Sequence, residues 1–225
     1  MLTVEKLCKD FTLHILNGKH IAACRDVSFN VPKGGFLGLS GPSGAGKSTV
    51  LKCMYRTYLP GSGFIWYDSA EYGRIDLATL PDRAVIDIRT REIGYVSQFL
   101  KVIPRVSALE VVMEPILARN GVSREEARER AVGLLERLRI PRHLFDAYPA
   151  TFSGGEQQRV NIAHAVSWKP RLLLLDEPTA SLDAESVTQV LEILRELRSE
   201  GTTMIGIFHD HELMTSVTDS VFEIC

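Results

Sequence analysis

Long hydrophobic runs are missing from this chain. A membrane-spanning helix needs about 20 consecutive apolar residues, and the most apolar run, Leu172 to Leu175, is far shorter. The opening residues, Met1 to Asp10, lack the apolar stretch of a secretory signal and read as strand material. A cytoplasmic location is expected, with any membrane association supplied by a partner. Cysteine is scarce: Cys8, Cys24, Cys53 and Cys225 form no close pair and no Cys/His cluster with zinc-ligand spacing. Idle or buried thiols in a reducing compartment are therefore expected. Charge of one sign is missing too. The formal net charge is −2, so no global positive field draws the chain to nucleic acid or anionic lipid. A DNA-associated role would need a basic groove or a sustained heptad, and neither is present.

What is present is an ordinary globular balance, 45% hydrophobic and 24% charged over 225 residues. That length buries a sizeable core without disulfides. Leu2, Val4 and Leu7, then Val27, Phe29 and Val31 at period 2, read as strands. Pro32-Lys33-Gly34-Gly35 is a turn, and Phe36 to Ser40 a short apolar strand. Thr49 to Tyr58 looks helical; Phe64 to Tyr67 and Ile93 to Ser97 read as strands, whereas Arg74 to Arg91 has no clear period. From Ser107 to about Val166 the period is helical. Ser123 and Glu126 have capping-box spacing, Ala127, Ala131, Leu134, Leu135 and Leu138 share a face, and Pro141 ends that helix. Strand and helix alternate again after Pro170. Leu172 to Leu175 is apolar on both faces, Val187 to Leu197 is an amphipathic helix stopped by Gly201, and Met204 to Phe208 is a further strand. The pattern is an α/β core interrupted by a helical insertion.

Two motifs carry chemistry on their own. Gly41-Pro42-Ser43-Gly44-Ala45-Gly46-Lys47-Ser48 lies between a strand and a helix and has P-loop spacing. Its glycines let successive backbone N–H groups turn toward phosphate oxygens, and the following helix aims its positive end at the same anion. Lys47 is expected to reach the β- and γ-phosphates and the Ser48 hydroxyl to ligate Mg²⁺, with Thr49 completing the nucleotide-binding set. The second motif is the apolar strand ending in Asp176-Glu177. Asp176 would support Mg²⁺, and Glu177 would polarise an attacking water as general base.

A third motif, Phe152-Ser153-Gly154-Gly155-Glu156-Gln157-Gln158-Arg159, resembles the signature of ATP-binding cassette (ABC) ATPases. Ser153 and Glu156 also have the spacing of a plain capping box. The resemblance covers nearly the whole chain. It implies a RecA-like P-loop core with an antiparallel β subdomain (both within 1–97 and 167–225) and an inserted α-helical subdomain (98–166), in one domain spanning 1–225. It implies that Gln98 is the Q-loop glutamine that touches Mg²⁺. His209, placed after the last core strand, is then the switch histidine at the γ-phosphate, and Asp183 part of a D-loop at a dimer interface. Phe11 is the aromatic candidate for stacking on adenine. Ser153, Gly154, Gly155 and Glu156 would face the γ-phosphate held by a second cassette, in a homodimer or a mixed pair. His164 departs from the arginine that many members carry.

Two finer resemblances compete. Arg159 to Ala163 with the preceding signature is similar to exporters of the lipoprotein-release and macrolide type, which work with a membrane permease. Tyr95 to Val112, Thr151 to Ala163 and Gly206 to Asp210 are similar to an ATPase subunit of carbon–phosphorus lyase systems. The second is preferred, because the stretch after Gln98 belongs to the partner-docking region. It implies an accessory subunit of ribose 1-methylphosphonate 5-triphosphate synthase, acting with other lyase subunits while alkylphosphonate displaces adenine from ATP.

Overall fold

The structure is a computed structural model that describes residues 1–13, 19–98, 100, 104–119 and 121–224. Phe99 and Val102, within the stretch that follows Gln98, and Cys225 lie outside the described residues. Two sheets form the frame. The first is antiparallel, in the order β2 (Lys19–Val31), β1 (Leu2–Leu13), β4 (Ser62–Ser69), β5 (Gly73–Asp76). Leu2, Val4 and Leu7 are all buried although their spacing breaks period 2. The ladder absorbs the extra residue as an irregularity between Val4 and Leu7, with Lys6 at φ 49°.

The second sheet is parallel, in the order β6 (Ile93–Val96), β7 (Leu172–Asp176), β8 (Thr203–Ile207), β3 (Phe36–Ser40), β9 (Ser220–Glu223). β7 and β8 are buried along their whole length, as their apolar runs require. Successive leucines of β7 serve opposite faces. Leu172 and Leu174 join a core shared with the antiparallel sheet and with α1 (Lys47–Met54). Leu173 and Leu175 join a core shared with α3 (Ala108–Leu117), α4 (Arg124–Arg137), α5 (Gly154–Val166) and α6 (Ala184–Ser199). Of the two remaining helices, α2 (Asp82–Arg91) precedes β6, and α7 (His211–Val217) joins β8 to β9.

Several boundaries differ from the sequence reading for local reasons. α1 stops at Met54, short of Tyr58. Arg56 takes φ 60°, Thr57 N–H donates to the Lys52 carbonyl and Arg56 N–H to the Cys53 carbonyl. This is a Schellman stop built without glycine, so no residue type announced it. α4 ends the same way at Arg139 (φ 57°), before Pro141 is reached. Leu134 on α4 is only partly buried. Ser123 caps α4 by accepting from the Glu126 N–H, but the Glu126 carboxylate pairs with Arg130 instead of closing the box. The complete boxes are Ser107–Glu110 on α3 and Ser153–Glu156 on α5. The charged stretch from 74 to 91 resolves into the end of β5 and α2. β8 is not the last core strand, because β9 adds beside β3.

Glu92, between α2 and β6, is 4% exposed and fastens the two sheets together. Its carboxylate accepts from Tyr67 Oη (2.9 Å), Ser69 Oγ (2.7 Å) and the Ala70 N–H, and Arg171 lies 3.5 Å away. Burial, then the charge and hydrogen bond of Glu92, push the Tyr67 phenol well above its usual range. Glu92→Ala leaves these buried donors without an acceptor and should destabilise the protein by about 3 kcal/mol. Urea denaturation measures it; a loss below about 1 kcal/mol would remove Glu92 from this role.

Candidate active site

Parallel sheets present their ligands at the carboxyl ends of the strands. Here the ends of β3, β6, β7 and β8 lead respectively into Gly41, Ser97-Gln98, Asp176-Glu177 and Phe208-His209. The P-loop residues therefore meet the carboxylates through tertiary structure, since β8 lies between β3 and β7.

The P-loop backbone depends on positive φ at Gly41 (139°), Gly44 (81°) and Gly46 (93°). Gly46 is also pinned sterically: a Cβ there would lie 1.8 Å from the Ala23 carbonyl oxygen of β2. Gly46 is the N-cap of α1 and brings no side-chain cap, whereas α3, α4, α5, α6 and α7 are each capped by a Ser or Asp side chain. The first N–H groups of α1 are thus left for an external acceptor, and its first turn carries no acidic residue. Lys47 Nζ folds over the loop, donating to the carbonyls of Gly41 (2.7 Å) and Pro42 (2.9 Å).

Ser48, one residue into α1, donates through Oγ to Asp176 Oδ1 at 2.7 Å. Tyr95 Oη donates to Asp176 Oδ2 at 2.8 Å. Burial, followed by the charge and hydrogen bond of Asp176, pushes the Tyr95 phenol well above its usual range, so it remains a donor. Gln98 Nε2 lies 3.4 Å from Glu177 Oε2. Glu177 has φ 53°, which turns its side chain away from the line of β7, and its N–H donates to the Ile207 carbonyl of β8. Lys47, Ser48, Gln98, Asp176 and Glu177 thus lie on neighbouring strand ends; His209 is exposed at the end of β8.

The remaining expected residues lie elsewhere. Ser153 caps α5 in a box with Glu156, whose carboxyl is held below its usual range by the Ser153 hydroxyl and N–H. The backbone of Gly155 packs beside Ser181, where a Cβ would stand 3.0 Å from the Ser181 carbonyl. Asp183 caps α6 by accepting from the Ser186 N–H at 2.8 Å. Signature and D-loop residues therefore form their own cluster. Phe11 is half-buried and meets Tyr58 edge-on at 5.1 Å, with Lys9 Nζ 5.1 Å from its ring centroid.

Tyr95, Gln158 and Asn161 escaped the sequence reading. Buried Gln158 donates to the Pro178 carbonyl (3.3 Å), and buried Asn161 to the Ser97 carbonyl (2.7 Å), tying α5 to the loops that bear Glu177 and Gln98. Two amides three residues apart on one helix face were the available signal. Tyr95 had none, because a tyrosine in a short strand reads as core.

The donor set fits Mg²⁺ with a nucleotide. Among the described residues no cluster of three or more His, Cys, Asp or Glu could cage a metal. A hydroxyl and a carboxylate side by side, next to a phosphate cradle, suit a cation that keeps waters and phosphate oxygens as its other ligands.

This arrangement defines a P-loop nucleotide hydrolase with a helical insertion. The chain belongs to the ABC transporter family, whose sequence pattern matches residues 24–180, and is an ATP-binding ABC ATPase domain. It is 36% identical to a probable amino-acid ABC transporter ATP-binding protein of Haemophilus influenzae, over 98% of this chain and 82% of that one. It is 35% identical to the L-cystine import ATP-binding protein TcyC of Bacillus subtilis, over 100% of this chain and 86% of that one. Among solved structures, the ATP-binding cassette MJ0796 in a dimeric post-hydrolysis state with ADP and Pi superposes with a TM-score of 0.89, at 30% identity, covering 100% of this chain and 94% of that chain.

These relatives overturn the carbon–phosphorus lyase reading. The first two are named as amino-acid and L-cystine transport ATP-binding proteins and neither is PhnL, the lyase-system subunit that the finer resemblance pointed to. The synthase role and the lyase partners fall with it, and the exporter alternative is not favoured. The physical reason lies in where the quoted stretches sit. The first runs from the end of β6 past Gln98 into α3, the second covers the α5 N-terminus and the third the end of β8, so the second, the third and the start of the first lie in the ATPase frame and not in a partner-docking region. No helix among the described residues is long and apolar enough to cross a membrane.

Gly44 and Gly46, two of the three P-loop glycines, separate sterics from strain. Gly44→Ala meets nothing within 4 Å and costs only its left-handed backbone, roughly 1–2 kcal/mol. Gly46→Ala adds a collision with Ala23, and should lower the thermal midpoint well beyond Gly44→Ala and abolish binding of a fluorescent ATP analogue. Equal midpoints for the two variants would refute the close approach.

Proposed function

We propose that this chain is the ATP-hydrolysing subunit of an ABC importer for amino acids. The observation that carries the reading is end-to-end similarity to amino-acid and L-cystine transport ATP-binding proteins. The sequence divides, on this reading, into a core of 1–97 and 167–225 and a helical unit of 98–166, within one ATPase domain.

Gly41 to Thr49 hold the phosphates, with Lys47 leaving its two carbonyls for the β- and γ-oxygens. Ser48 and Gln98 would hold Mg²⁺, with Asp176 in support. When bound, Mg²⁺ neutralises charge developing on the β- and γ-phosphate oxygens. Glu177 takes a proton from the attacking water while His209 contacts the γ-phosphate. Phe11 stacks on adenine. The separate cluster of Ser153, Gly154, Gly155, Glu156 and Asp183 serves the nucleotide of a second cassette, so ATP closes a dimer and its hydrolysis reopens it. A cleft of about 320 Å³, lined by Tyr55, Tyr95, Leu100, Val106 and Val111, lies beside the Gln98 segment and suits an apolar helix of a permease.

Glu177→Gln should reduce turnover by roughly 100-fold or more and yield a dimer with retained ATP on sizing chromatography. Normal hydrolysis by that variant would remove Glu177 as the base. For the transport role, uptake of radiolabelled amino acids is compared in cells with and without the gene. Loss of uptake of one or a few amino acids, restored by wild type and not by Glu177→Gln, is expected; undiminished uptake of all of them overturns the importer reading.

A further inference from the structure

Tyr95 belongs to two places at once. Its hydroxyl is bonded to Asp176, and its ring lines the cleft beside the Gln98 segment. Tyr55, the C-cap of α1, lines the same cleft, and its ring stacks on Tyr95 at 4.9 Å with the planes 20° apart. Tyr55 is itself held. The Arg89 guanidinium from α2 stands 4.4 Å from its ring centroid, and Arg89 Nε donates to its carbonyl at 2.6 Å. Guanidinium, ring, ring and carboxylate form one contiguous series, in which the two rings line the cleft and the carboxylate stands in the site.

We propose that Tyr95 is a positioning residue for the metal-supporting carboxylate, and that the Tyr55–Tyr95 stack carries occupancy of the cleft to Asp176. Asp176 has two oxygens and two hydroxyl donors, Ser48 on Oδ1 and Tyr95 on Oδ2. Ser48 is also the residue expected to turn its hydroxyl toward Mg²⁺, so Tyr95 is the donor that remains to fix the carboxylate plane. Partners of this kind set a ligand's orientation, and their removal weakens metal binding by roughly 10- to 100-fold. A side chain entering the cleft meets both tyrosines. Because the stack is tight, displacement of Tyr55 is passed to the Tyr95 hydroxyl and changes how Asp176 meets the metal. The occupant is the permease segment of the proposed function, and to that extent the inference rests on it. The Tyr95–Asp176 bond does not, and is tested in the chain alone.

The test is a thermodynamic cycle read by metal binding as well as by rate. Mn²⁺ is titrated into the ADP-saturated protein, and free Mn²⁺ is followed by its electron paramagnetic resonance signal. Tyr95→Phe keeps the stack and removes the hydroxyl, and should raise the Mn²⁺ Kd roughly tenfold. Tyr55→Leu, which removes the ring stacked on Tyr95, should raise it less in the wild type and not at all in the Tyr95→Phe background, the non-additivity expected of groups acting in series. Thermal unfolding is recorded for each variant. An unchanged Kd in Tyr95→Phe, with only a lowered midpoint, would make Tyr95 structural and overturn the proposal. Full additivity of the two substitutions would overturn the relay. If the uptake experiment fails while the cycle holds, the importer reading alone is lost.

Discussion

The structure hangs on one buried carboxylate. Asp176, 3% exposed, closes β7 and takes a hydroxyl on each oxygen, one from α1 and one from β6. A carboxylate in that position is costly without such partners, and each partner imposes a demand on the chain that brings it. Ser48 reaches Asp176 only because α1 begins at Lys47, which needs Gly46 in a left-handed conformation against Ala23. Tyr95 reaches it only because β6 pairs with β7 in a register that sets Tyr95 beside Leu174. Phosphate cradle, β7 and antiparallel sheet are thereby mutually fixed.

Much of this was legible beforehand. The P-loop announced itself because glycine is the residue that tolerates its dihedrals, and β7 because four leucines in a row suit a strand covered on both faces. The stop of α6 at Gly201 (φ 101°) was likewise written in a residue type. Features built from unremarkable residues were hidden. Arg56 and Arg139 end helices in a conformation usually left to glycine, the bulge in β1 uses Lys6, and β5 and α2 emerge from a charged stretch without a period. In each case tertiary packing overrides local preference.

Among the candidate site residues, sequence named those whose proposed chemistry needs one side chain and passed over those that hold others in place. Gln158 and Asn161 spend their amides on backbone carbonyls of Ser97 and Pro178. Such a bond leaves no trace in a motif, because the acceptor is identical at every position of the chain. The same logic explains the misassigned pathway. Two of the three stretches that suggested a lyase subunit, and the start of the third, run through the ATPase frame, and a nucleotide does not distinguish one transport or metabolic partner from another.

Glu177 sits at φ 53° just past the end of β7, a conformation that most side chains adopt only at a cost. That leaves an imprint on how the position drifts over generations. A lineage relieved of hydrolysis should not replace this glutamate at random. Valine, isoleucine and threonine are disfavoured there by their branched Cβ, while glycine, asparagine and aspartate relieve the backbone or tolerate it. Descendants that have lost activity would therefore converge on a narrow set of small or amide residues. The backbone, and not only the chemistry it once served, would keep the record of the ancestral site.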